Sequence, residues 1–163
     1  MSARLTFVAM VGLTLGTALS AAAQESVTIT LPTTITFSVT DVTSATPADL
    51  DPVTVQFSGA VINPGRVLRI SIIADSSTLA GPGGSTIPVL AASWTVSGAT
   101  GGSGTAGTLS SSSYTRVFQS TQAAVSGSFD LSFTLAPVPG TLRAGNHTVT
   151  VRWKLESTHK NAP

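Results

Sequence analysis

The 163-residue sequence contains no cysteine. That excludes a disulfide framework, thiolate metal ligands and a lipid anchor attached through sulfur. Stability must come from the core alone. Charge is scarce too: 9% of the residues are Asp, Glu, Lys or Arg, and the formal net charge is +1. These charges are scattered, so no basic stripe exists to displace counterions from nucleic acid, and no polybasic patch exists for anionic lipid. Helical periodicity is also missing after residue 24, where two-residue alternation dominates. What is abundant is Ser, Thr and Gly, with regularly placed Val, Ile, Leu and Phe. This suits sheets with hydroxyl-covered outer faces and argues against disorder.

The N-terminus supplies the longest apolar run. Arg4 precedes the uncharged stretch 5–19, which is followed by Ser20-Ala21-Ala22-Ala23-Gln24. Charge, apolar core and small residues in that order form a signal peptide, with Ala21 and Ala23 at the A-x-A positions. The stretch falls short of the roughly 20 apolar residues a membrane-spanning helix needs, and no stop-transfer cluster follows. The expectation is cleavage of residues 1–23 and a mature chain that begins at Gln24. It has no transmembrane segment and is delivered to the periplasm, the cell surface or the medium. Losing Arg4 leaves seven basic residues against seven acidic ones, so the mature net charge is near zero.

The alternation predicts successive strands. Val27, Ile29 and Leu31 share one face before Pro32. Ile35, Phe37 and Val39 follow, then Val53, Val55 and Phe57, and then Leu68, Ile70 and Ile72 after the turn Asn63-Pro64-Gly65. Trp94 and Val96 mark another strand, and residues 114–119 a short one. Phe129, Leu131, Phe133 and Leu135 alternate cleanly, and so do Val149, Val151, Trp153 and Leu155. Residues 41–52 and 76–88 read as connections, 98–113 as a mobile Gly/Ser loop and 157–163 as a frayed tail. Seven or eight strands without crossover helices predict an all-β, antiparallel, immunoglobulin-like sandwich over residues 24–156. An outer-membrane barrel would need aromatic girdles, and the aromatics are few and unpatterned.

Motifs for chemistry are sparse. Gly102-Ser103-Gly104-Thr105-Ala106-Gly107 matches G-x-G-x-x-G in letters, but the sequence after it opens no helix to meet a pyrophosphate. G-x-S-x-G is absent, and the two histidines sit in unpromising places: His147 after a turn, where it is expected to be exposed, and His159 in the tail. No catalytic group and no cofactor are expected, and the chain does not read as an enzyme. Asp41, Asp49 and Asp51 share one polar connection and are the calcium candidates, since a hard cation takes carboxylates with loop carbonyls. Asp also caps turns through neighbouring amides, and Asp51-Pro52 favours a turn. Trp94 and Trp153 both lie on apolar faces, which favours core packing over a sugar-stacking platform.

The segment Leu142-Arg143-Ala144-Gly145-Asn146-His147-Thr148-Val149-Thr150-Val151-Arg152-Trp153 resembles the end of bacterial surface sandwiches. In chaperone–usher pilins and spore-coat-U-like proteins, an L-x-A-G-x-Y turn leads into a final alternating strand. Here His147 stands at the aromatic position, no disulfide is available, and residues 157–163 continue past the strand. The resemblance implies an immunoglobulin-like subunit that assembles at the cell surface by strand pairing, with itself or with other surface proteins as partners. Residues 26–31, short and alternating, are expected either to pair within their own domain or to exchange with a neighbour. The other reading is a non-catalytic extracellular binding module, for example for glycans.

Overall fold

The structure, a computed structural model, describes residues 24–160 apart from 122, 123, 125 and 141. The expected signal peptide and the last three residues of the expected tail lie outside the described residues. Two curled antiparallel sheets pack face to face into a β-sandwich, and no helix among the described residues is long and apolar enough to cross a membrane.

In chain order the strands are β1 (Ser26–Ile29), β2 (Thr34–Val39), β3 (Thr46–Pro47), β4 (Val53–Val61), β5 (Arg66–Ala74), β6 (Thr78–Ala80) and β7 (Thr86–Pro88). They are followed by β8 (Ala92–Thr100), β9 (Gly102–Gly104), β10 (Gly107–Thr108), β11 (Thr115–Ser120), β12 (Gly127–Leu135) and β13 (Gly145–His159). The first sheet runs β1-β4-β12-β8-β10, with β3 beside β12. The second runs β7-β6-β13-β5-β11-β9, with β2 beside β13.

The alternating residues read from the sequence fill the space between the sheets. Ile35, Phe37 and Val39 of β2 are buried, as are Val55 and Phe57 of β4 and the four alternating apolar residues of β12. Phe118 stacks on Phe129 with centroids 4.8 Å apart and lies 5.5 Å from Phe57, while Trp94 tilts onto Phe133 at 6.5 Å. Each such buried aromatic contributes about 1.5–3 kcal/mol by leaving water, and each ring pair roughly 0.5–1.5 kcal/mol more. Without a disulfide, these layers carry the fold.

Residues 30–33 hand the chain from one sheet to the other. β1 pairs with β4 in the first sheet and β2 pairs with β13 in the second. Pro32 has no N–H to continue a ladder. Its carbonyl instead accepts the Trp153 Nε1–H at 2.6 Å, and the Thr33 carbonyl accepts Val151 N–H at 2.9 Å. Trp153 is therefore half-buried and pinned at the crossing.

Several segments differ from expectation. Residues 98–113 are not one mobile loop: β8 runs on to Thr100, β9 and β10 follow, and Leu109 is fully buried. The glycines there serve close approach. A Cβ on Gly104 would strike Val96, and one on Gly107 would strike the Trp94 ring. The segment lies over Trp94, whose Nε1–H donates to the Thr105 carbonyl at 2.8 Å. Residues 76–88 hold the β6–β7 hairpin, with Leu79 and Ile87 fully buried. β13 continues to His159, so residues 157–159 are strand, paired with β5 from Leu68 back to Arg66. Their polar sequence hid this, because the pairing is made by backbone and by Arg66, whose Nε donates to Ser157 Oγ at 2.9 Å.

Candidate functional site

The calcium candidates do not converge. Asp41 turns onto its own loop, accepting Thr43 N–H at 2.9 Å, Thr43 Oγ1–H at 2.7 Å and Ser44 Oγ–H at 2.6 Å. These bonds, those of Ser44 and Thr43 first, hold its carboxyl down at about 2. Asp49 is spent elsewhere, on β2. Asp51 precedes Pro52 through a cis peptide bond. Among the described residues no group of three His, Asp or Glu is placed to hold a metal ion. The glycine motif also dissolves: Gly102–Gly104 is strand β9 and Gly107–Thr108 is strand β10.

The two histidines are far apart in role. His159 is exposed at the end of β13. His147, expected to be exposed, is fully buried, because it lies in phase with Val149 and Val151 and pairs with Phe37 of β2. The alternation of β13 already contained that signal two residues before Val149. Trp94 is also fully in the core.

What the fold leaves accessible is strand edge, and the edges are treated differently. The outer edge of β2 is covered by Asp49. Its N–H donates to the Thr36 carbonyl at 2.8 Å, and its Oδ1 accepts Ser38 N–H at 3.0 Å. The distal half of β13, free of β2 beyond Val151, carries Arg152, Lys154 and Glu156 and faces Glu25. Glu25 Oε1 accepts Asn63 N–H at 2.9 Å and Ser157 Oγ–H at 2.8 Å and lies 3.7 Å from Arg66 Nε. Burial pushes the Glu25 carboxyl upward, but the bonds from Asn63 and Ser157 and the Arg66 charge outweigh it and leave the group below its ordinary value.

The near half of β4 is bare on one side. β12 pairs with Val53 to Phe57 on one side, while β1 reaches β4 on the other side only from Phe57 onward. As β1 peels away toward Pro32, it opens a groove of about 510 Å³ against Val53, Thr54 and Gln56. Thr28, Thr30 and Ser58 line it as well, and none of its lining residues is charged. Thr54 is steadied by its Oγ1–H donating to Asp130 Oδ1 at 2.7 Å. Here one side of a regular strand borders a groove lined by uncharged residues, with no partner strand on that side among the described residues. Such an edge can add an extended segment from another chain through main-chain hydrogen bonds.

No family model matches the chain, and neither the curated proteins nor the solved structures contain a match to it.

Proposed function

We propose that the chain is an exported structural or adhesive component of a bacterial-type cell surface. In this reading it is an immunoglobulin-like sandwich that associates with neighbouring subunits by strand pairing. The observation that carries this reading is the uncovered β4 edge at residues 53–56, beside a groove without charge. The crossing from β1 in one sheet to β2 in the other supports the immunoglobulin-like description. The leader supports export. No catalytic step is assigned to the chain.

The test is sedimentation of the mature chain, begun at Gln24, over a wide concentration range, with intact-mass measurement on exported protein. Concentration-dependent oligomers and a mass lacking residues 1–23 are expected. A monomer at every concentration contradicts strand pairing, and a retained leader contradicts export.

A glycan-binding reading draws on the same groove, whose Thr, Ser and Gln side chains suit a neutral polyol. Trp153, half-buried with its indole tied to Pro32, adjoins the groove's Pro32 wall. Sugar-dependent quenching of tryptophan fluorescence, without change in oligomeric state, would favour that reading.

A further inference from the structure

We infer that the turn between β6 and β7 is an acid-sensitive latch, seated on His147 and released when that imidazole takes up a proton. His147 is fully buried, and its Nε2 lies 2.8 Å from the Arg143 carbonyl oxygen. A carbonyl only accepts, so Nε2 carries the hydrogen and the neutral ring presents a bare lone pair at Nδ1. That Nδ1 is buried without a hydrogen-bond partner, and so is Ser85 Oγ.

Both atoms meet at Gly81. A Cβ built there would lie 2.5 Å from His147 Nδ1 and 2.6 Å from Ser85 Oγ. Glycine is required because the turn lies directly on the ring. The turn closes mainly on itself, through Gly81 N–H to the Ser85 carbonyl at 2.8 Å and Ser85 N–H to the Pro82 carbonyl at 3.1 Å. Behind it the hairpin is joined to β13 at one register pair, Thr148 with Ala80, and is anchored in the core by Leu79 and Ile87. Pro82 rests against Gly145. The tip can therefore lift while its base stays docked.

Among the described residues, no acidic group on the elements packed around the ring is placed to compensate a positive charge. The hairpin, residues 78–88, contains no titratable residue, and neither does β2. On the turn before β13 the only charged group is Arg143, exposed and of the wrong sign. Along β13 the next charged residue is Arg152. In the connection 41–52, Asp41 is turned onto Thr43 and Ser44, Asp49 onto Ser38, and Asp51 is exposed beside Pro52. A proton on Nδ1 therefore places a buried cation beside the Ser85 hydroxyl, with the Arg143 carbonyl at its other nitrogen and no counter-charge, and a buried charge without a counter-charge is strongly disfavoured. Lifting the tip brings water to the ring and relieves that cost. The closed state therefore loses ground to the open one as acid is added.

The experiment follows both histidine rings and the amides of Gly81, Ser85 and Gly145 by NMR from pH 8 to pH 5, with exposed His159 as the control within the molecule. Protonation of His147 should coincide with resonance changes at all three glycine and serine amides, while the Leu79 and Ile87 amides stay native-like. Thermal unfolding of His147→Gln should show a smaller loss of midpoint between pH 8 and pH 5 than the parent. Protonation of His147 with those three amides unmoved overturns the latch, and this measurement needs no variant to fold. An identical pH dependence in a folded His147→Gln variant overturns it as well.

Discussion

β2 and the near half of β4 are both neutral, alternating strands, Thr-Ile-Thr-Phe-Ser-Val against Val-Thr-Val-Gln, and both stand at the limit of a ladder. One is closed and the other open. At β2, Asp49 returns from the following connection, fills one carbonyl and one amide, and sets a carboxylate against the edge. At β4, the strand that should complete the ladder has left for the other sheet at Pro32. Whether an edge is available is thus decided by a residue distant in sequence, not by the edge strand itself. An inward charge is an effective guard, because an incoming strand would have to desolvate it.

The largest effect should come from removing what holds the open edge in place. Phe57→Ala takes a buried ring from under β4 and from its contact with Phe118. A loss of about 3–5 kcal/mol in urea unfolding is expected, as for other buried aromatics cut to alanine. A loss under 1 kcal/mol would mean that the Phe57 ring does not hold β4 in place.

Next, Asp49→Ala should convert the closed edge into an open one. The Ser38 amide loses its acceptor, at a cost of about 0.5–1.5 kcal/mol. Self-association, read by light scattering, should increase. Unchanged association would show that Asp49 does not guard β2.

Asp41 is the smallest case and the negative control, since it lies in the same connection but bonds only its own turn. Its carboxyl is lowered from 3.8 to about 2. The stabilisation it gives is full above the unfolded value and disappears as pH falls from about 4 toward 2. Asp41→Asn should remove that acid-dependent step from the unfolding curve while leaving association at pH 7 unaltered. A change in association would extend the guard to the whole connection.

The strands that pack were legible because alternation of two writes the core face directly: Ile35, Phe37 and Val39, or Phe129 through Leu135, needed only the period. The Gly/Ser segment misled because its order comes from absent side chains. Gly104 and Gly107 are where they are so that backbone can lie on Val96 and Trp94, and composition cannot distinguish such a glycine from a flexible one. His147 was legible in phase but not in character, since a polar residue after a turn is ordinarily exposed. The open edge was not legible at all. It depends on where β1 ends its pairing with β4, a register that tertiary contacts at Trp153 and Val151 determine.

The most direct test of strand pairing places a charge on the open edge. Gln56 is exposed on the groove and makes no packing contribution to the core. Gln56→Lys should leave circular dichroism and the unfolding midpoint near those of the parent. In sedimentation across concentration, the parent mature chain should associate, and Gln56→Lys should need at least about tenfold more protein to reach the same oligomer fraction, the equivalent of about 1.4 kcal/mol of lost pairing. A folded Gln56→Lys chain that associates as strongly as the parent would contradict pairing at β4.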